Sequence, residues 1–497
     1  MADQEAENDA IAGQPQNPIQ DFEANSTRNK YAFSCAVLVS MTSILLGYNI
    51  GVMSGAAIFI EDDLKITHLE VEILVAGIAG MNPFTGSTAD WIGRRYTVFF
   101  ASVIVFIGAL LMIVADDYPF LMVGLFVAGV GFSYVFMIAP LYITEVSPAS
   151  TRGFLTSFPE LFINIGVLIG YASSYSFSKL PDYLGWRFML GVAVIPSVLV
   201  AIGVLALPES PRWLVMQGRI GDARRVLYEI SDSDSEANIR LADIKAAAGI
   251  PENSTDDVVQ VPKRSHVASV WKAMFLHPTH RHIFIAAVGI NFFQQSSGID
   301  VVVSYGPIIF EIAGIKKGNE KLLATMVVGS VKTLLTLVAT YGLDKIGRRP
   351  LLLNSVAGMI VSLVGLGIRL TIMDLSHENQ TWAIALCMTS LSSYVAFYSI
   401  GMGPITSVYT TEIFPSMLRA QGASMGVVVN RLTGGVLLMT FMRLYKAITI
   451  GGAFFCFAGM AFVAWVFFYM VLPETRGKTL EEMETLLGNW DICIGRC

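Results

Sequence analysis

Asp90-Trp91-Ile92-Gly93-Arg94-Arg95 returns in the second half of the chain as Asp344-Lys345-Ile346-Gly347-Arg348-Arg349. Working outward, Glu145 with Arg152 returns as Glu412 with Arg419, and Pro208-Glu209 returns as Pro473-Glu474. A carboxylate, a glycine turn and paired guanidinium groups recur in the same order. The chain is therefore a doubled unit, and each copy of the charged cluster is flanked by long apolar runs.

The 497 residues are 54% hydrophobic and only 14% charged, with a mean hydropathy of +0.59. These values lie far outside the range of a soluble chain, so the solvent is lipid. A hydropathy window of about 19 residues gives twelve spans, at 32–55, 72–89, 96–115, 118–142, 157–178, 187–207, 281–312, 322–342, 350–373, 382–406, 419–445 and 449–472. Two apolar bundles with matching charged clusters at one surface are how secondary transporters build halves that rock about a central site.

Orientation follows the Lys and Arg positions and not the net charge of −6, because basic residues are retained on the cytoplasmic side. Arg28, Lys30, Arg94, Arg95, Arg212, Lys345, Arg348, Arg349, Arg419, Arg476 and Lys478 share one side. Both termini are expected to be cytosolic, although Lys316 and Lys317 run against the trend. Residues 1–30 are polar and acidic and read as a disordered tail without a cleavable signal. Between spans six and seven, residues 208–280 read as a cytosolic linker of short amphipathic helices. The five cysteines suggest neither a disulfide nor a metal site.

The charged clusters have the chemistry of a latch. Asp90, Arg94 and Arg95 with Glu145 and Arg152, and Asp344, Arg348 and Arg349 with Glu412 and Arg419, lie at helix ends on the basic side. Arg and carboxylate pair bidentately, and partly desolvated pairs hold helix ends yet break in a discrete switch. The competing reading, that single positive charges merely fix topology, does not explain the return of whole clusters. Small residues at four-residue spacing, Gly47, Gly51 and Gly55 in span one and Gly166 and Gly170 in span five, mark close helix contact. Gly401, Gly403 and Pro404 weaken span ten.

Pro208-Glu209-Ser210-Pro211-Arg212-Trp213-Leu214, Gln294-Gln295-Ser296-Ser297-Gly298-Ile299-Asp300 and Pro473-Glu474-Thr475-Arg476-Gly477-Lys478 resemble the sugar-porter family of the major facilitator superfamily. Thr156-Ser157-Phe158-Pro159-Glu160 and Gly403-Pro404-Ile405-Thr406 are similar to the plant polyol and monosaccharide transporters in particular. The resemblance implies an all-α membrane protein with twelve transmembrane helices in two six-helix pseudo-repeats, residues 31–207 and 281–472. A cytosolic helical linker joins them and a cytosolic tail, 473–497, follows. It also implies proton-coupled uptake of linear polyols, cyclitols or monosaccharides at the plasma membrane. Substrate and lipid are the expected partners, with protons if transport is coupled. No cofactor, metal, nucleic acid or second subunit is expected.

Polar side chains at mid-bilayer depth are costly unless they face a cavity or a partner. Gln294 and Gln295 can donate to and accept from hydroxyls; Asp300, Glu160 and Asn430 extend the set, with Tyr305 as a gate. The competing reading is that such amides fasten helices together. By resemblance Gln294, Gln295, Asp300 and Asn430 match sugar-contacting positions. Lys332 and Arg431 receive no role, since long cationic side chains can snorkel or pair internally.

The chain departs from this family at functional points. In Gly47-Tyr48-Asn49-Ile50-Gly51, Asn49 stands where proton-coupled members carry Asp, and Leu125 stands where they carry the partner Arg. An amide cannot exchange a proton near neutral pH. Losing one partner of a buried pair strands a charge at about 3–5 kcal/mol, whereas losing both can be nearly neutral. Ser407 replaces a Trp that packs against the sugar in the family. The second span, between Glu72 and Asp90 and containing Pro83, covers roughly 25 Å of an apolar core about 30 Å thick. The alternative to a transporter is a sugar-binding sensor or inactive paralogue. An enzyme is unsupported, because no nucleophile with a base, phosphate loop or metal spacing is present.

Overall fold

In hydrocarbon a backbone satisfies its own hydrogen bonds only as a helix or a closed barrel. The computed structural model describes residues 18–67, 70–71, 73–74, 85–148, 151–251, 256–259, 278–312, 314–315, 318–375, 381–414 and 418–475, and these are built from helices. Pro83, Lys316, Lys317, Arg476, Lys478, Cys493 and Cys497, and the side chain of Asp344, lie outside the described residues. The first half contains α1 (Pro18–Leu64), α2 (Thr85–Ile92), α3 (Arg94–Ile113), α4 (Tyr118–Val146), α5 (Arg152–Thr156), α6 (Phe158–Phe177), α7 (Asp182–Gly191) and α8 (Val194–Val204). The linker holds α9 (Pro211–Met216), α10 (Ile220–Ile230) and α11 (Asp234–Ala247). The second half contains α12 (Pro278–Ser296), α13 (Ile299–Ser304), α14 (Gly306–Ile312), α15 (Gly318–Ile346), α16 (Arg348–Leu375), α17 (Thr381–Ile400), α18 (Met402–Ile413) and α19 (Arg419–Val471).

Among the described residues nine helical segments are long and apolar enough to cross a membrane. The last contains two spans, because Ile448 and Thr449 leave helical geometry, Thr449 with φ 68; the break falls where spans eleven and twelve were expected to meet. Span seven is one continuous run in the sequence but three helices in the structure, α12, α13 and α14. Gly298 adopts φ +86, and a Cβ there would stand 2.9 Å from the Phe457 ring. That break ends α12 after the two glutamines and starts α13 just before Asp300. Most of span two lies outside the described residues, which completes the twelve. One further correction concerns the N-terminus: α1 begins at Pro18, inside the segment expected to be a tail. Pro18 suits the first turn of a helix, and no Gly or Pro interrupts residues 19–46 after it.

The halves repeat in packing as well as in sequence. Span one lies against span five as seven lies against eleven, and three lies against four as nine lies against ten. The seams between halves obey the same exchange, with span five on span eight and span eleven on span two. Glycine makes the tightest seam possible. Gly47 sits directly on the Ile163 carbonyl, and a Cβ at Gly170 would lie 2.6 Å from both the Tyr48 oxygen and the Val52 nitrogen. Phe126, Ile195, Leu199, Val361 and Phe462 point outward and are exposed, as a lipid-facing surface requires.

Gly170→Val should therefore destabilise the first half by about 1–3 kcal/mol or more, read as a lower thermal transition in detergent. Gly459→Ala, where nothing lies within 4 Å of the added carbon, should leave that transition unchanged or raise it. Equal behaviour of the two variants would contradict the packing described.

Candidate substrate-binding site

The repeated clusters close each half at one end. Arg94, 1% exposed, donates through Nε and Nη2 to Glu145 at 3.0 and 3.1 Å and through Nη1 to Asp90 at 3.1 Å. Glu209 accepts from the backbone N–H of Arg94 at 2.9 Å and of Arg95 at 3.3 Å. In the second half Arg348 donates to Glu412 at 3.2 Å, and Glu474 accepts from the N–H groups of Arg348 and Arg349 at 3.0 Å each. Gly93 and Gly347 hold φ +102 and +101 at these turns, and a Cβ on either would press on the Glu209 or Glu474 carboxylate. Ser210 donates to Glu145 as Thr475 donates to Glu412. Burial pushes the Glu209 carboxyl up, against the pull of the Ser210, Arg95 and Arg94 N–H groups and the Arg94 charge.

These bonds lie inside each half and hold its helix ends together. The cross-half contacts are next to them. Thr144 donates to Thr411 at 3.0 Å, Glu145 lies in the field of Arg419, and Glu412 in that of Arg152. Arg419 also donates to the Phe414 carbonyl at 3.0 Å. Arg95 and Arg349 turn away to the carbonyls of Leu205 and Tyr469. Arg212 is buried at the start of the linker. One participant was not foreseen: Arg240 of α11 donates to the Val146 and Ser147 carbonyls at 3.2 Å each. Burial, with the Arg152 charge, lowers it to about 10, so it stays cationic at neutral pH and caps the end of α4.

Between the halves lies a chamber of about 430 Å³ whose wall includes Glu160, Gln294, Gln295, Asp300, Lys332 and Arg431. It shares Phe136, Glu160 and Gln294 with a second chamber of about 360 Å³ towards the cluster end. On the other side it shares Val167, Val303 and Lys332 with a third of about 310 Å³. The three form a file. Thr144 and Thr411 close the cluster end, and Tyr171 closes the opposite end by donating to Val303 at 2.8 Å.

Glu160 and Lys332 are each 7% exposed, and no side-chain hydrogen bond or ion pair among the described residues is made by Glu160, Asp300, Lys332 or Arg431. The two cations face rings: Arg431 lies 4.1 Å from the Phe136 ring centroid and Lys332 5.7 Å from that of Tyr398. The amides are arranged behind them. Asn430 donates to Gln294 Oε1 at 2.6 Å and accepts from Gln295 Nε2 at 3.0 Å, while Gln294 Nε2 donates to the Met402 and Gly403 carbonyls at 3.4 and 3.3 Å. Gln295 Oε1 is buried without a hydrogen-bond partner among the described residues. Asn430 therefore orients the glutamines and does not line the chamber. Tyr305 also stands behind the wall, donating to the Leu438 carbonyl at 3.0 Å and stacking on Phe441, and Ser407 lines only the second chamber.

The expected proton positions are apolar or silent. Leu125 is fully buried in the apolar core, and Asn49, 1% exposed, has a carbonyl oxygen without a partner among the described residues. Lys332 and Arg431, which received no role from the sequence, line the chamber. The available signal was their charge within apolar windows, which by itself marks a functional position.

A bundle of two six-helix halves around a closed polar chamber is a membrane carrier of the major facilitator fold. Residues 35–487 match the family model described as "Sugar (and other) transporter", and the chain belongs to that family. It is 59% identical to "Putative polyol transporter 1" of Arabidopsis thaliana over 473 residues, 93% of this chain and 92% of that protein. It is 58% identical to "Polyol transporter 5" of the same plant, over 93% of this chain and 87% of that protein. A solved structure of the proton:xylose symporter XylE bound to 6-bromo-6-deoxy-D-glucose has the same fold, with TM-score 0.79 and 24% identity over 92% of this chain and 99% of that one.

Arg94→Ala strands Asp90 and Glu145 and should lower stability by about 3–5 kcal/mol, with Arg94→Lys recovering only part because the bidentate fork is lost. Arg348→Ala should act in the same direction through Glu412. Thermal unfolding in detergent measures both, and unchanged transitions would contradict the account of the clusters.

Proposed function

We propose that this chain carries linear polyols, cyclitols or monosaccharides across the plasma membrane by alternating access, as a monomer with both termini cytosolic. The observation that carries the reading is the set of four ionic side chains without ion-pair partners, Glu160 and Lys332 buried and Asp300 and Arg431 partly buried, around a chamber between the halves. A neutral ligand rich in hydroxyls fits this set. It can donate to Glu160, Asp300 and Gln295 Oε1 while accepting from Lys332 and Arg431, and hydrogen bonds to charged groups contribute about 1.5–3 kcal/mol each. The relatives named as polyol transporters support the same substrate class.

Energy coupling is a separate matter. A proton crossing 100 mV supplies about 2.3 kcal/mol, but Asn49 and Leu125 offer no titrating group where the family resemblance places one. Transport is therefore downhill, and only Glu160 or Asp300 is placed to take over a proton.

Radiolabelled sorbitol, myo-inositol and glucose uptake in transport-deficient yeast tests the reading, and at least one should enter above the background of empty cells. Glu160→Ala should weaken its affinity about tenfold or more; Gln294→Ala, which also frees Asn430 and span ten, should cost about 1–3 kcal/mol. Wild-type affinity in both variants would exclude this chamber as the site.

A protonophore should leave uptake unchanged, and accumulation should require Asn49→Asp together with Leu125→Arg. An inward proton current induced by substrate in the unmodified protein would overturn the downhill reading and point to Glu160 or Asp300.

A further inference from the structure

The second chamber is unlike the central one in chemistry. Its walls carry Phe136, Met137, Pro140, Ala423 and Val427, together with four hydroxyl residues of α18. Those hydroxyls look polar in the sequence but their protons are already used. Thr406 donates to Met402 O at 2.7 Å, Ser407 to Pro404 O at 3.0 Å, Thr410 to Thr406 O at 2.7 Å and Thr411 to Val408 O at 2.9 Å. Asn291 spends its amide on Ala287 O and Thr410 Oγ1, both at 2.8 Å, and the Gln294 amide is held by Met402 and Gly403. What remains towards the space is mainly methyl, methylene and ring carbon.

We propose that this chamber is a subsite for an apolar substituent on a hydroxyl-rich ligand. Its ligand class is the O-alkyl and O-aryl ethers or glycosides of polyols and sugars, with the hydroxylated head in the central chamber. The proposal rests on the preceding reading of the central chamber. Geometry supplies the link, because Glu160, Gln294 and Phe136 line both spaces. A head group bound by Glu160 and Gln294 thus carries one oxygen next to an apolar room of about 360 Å³. Burying a ring there removes apolar surface from water without breaking any hydrogen bond of the wall.

Equilibrium binding to the purified full chain in detergent, with sorbitol, myo-inositol and glucose each paired with its mono-O-benzyl ether, tests this. For any head that binds, at least one benzyl regioisomer should bind about tenfold or more tighter. Ala423→Leu and, independently, Val427→Phe fill the room and should erase that advantage while the unsubstituted head still binds. No gain from any benzyl ether, or a gain that survives both fillings, overturns the proposal and leaves the central site standing. Failure of every head and every ether to bind overturns both. If one filling variant does not fold, the other and the paired ligands on the unmodified chain still decide.

Discussion

Four charged side chains, Glu160, Asp300, Lys332 and Arg431, balance in number inside the bundle but make no ion pair with one another. Isolated charge in a low-dielectric interior is costly, so such an arrangement holds only where a closed cavity, water or ligand can solvate it. Three of the four belong to the second half and Glu160 alone to the first. The attraction that stabilises the set therefore acts across the moving seam, and a ligand that hydrogen-bonds to both signs substitutes for direct pairing.

The rest of the architecture serves that seam. In the first half the arginine cluster is tightly bonded: Arg94 has both Glu145 and Asp90, and Glu209 accepts from the backbone N–H groups of Arg94, Arg95 and Ser210. The second half repeats these contacts through Arg348, Glu412 and Glu474. Bonds of that strength make rigid bodies. Across the seam the contacts among the described residues are thinner: Thr144 on Thr411 with the fields of Arg152 and Arg419 at one end, Asn164 with Thr333 and Thr336 between spans five and eight, and Tyr171 on Val303 at the other end. Rigid halves joined by few bonds are suited to rocking about a fixed site.

The doubling and the helix count were legible because Asp-x-x-Gly-Arg-Arg and the long apolar runs are local patterns. So was the tight seam of spans one and five, since four-residue glycine spacing is itself a packing instruction. The break of span seven was hidden, because Gly298 looks like any other glycine inside a span until the Phe457 ring is placed against it. The direction of the latch was also hidden. Sequence places Arg94 and Arg152 at the same surface but does not say that Arg94 points at its own half. Lys332 and Arg431 were visible and undervalued, whereas Asn430 and Tyr305 were named as contacts and stand one layer behind the wall. Which atoms of an amide are already bonded is a tertiary fact, and no spacing rule supplies it.

The central claim is that two preformed halves move about the charged chamber. Double electron–electron resonance tests it directly, with spin labels at Trp91→Cys and Ile346→Cys in a background lacking the native cysteines. Both positions are exposed, at 79% and 52%, and lie at corresponding turns of opposite halves. The account predicts two distance populations whose balance shifts when a bound polyol is added. A single distance that does not respond, at a polyol concentration shown to saturate binding, would contradict it.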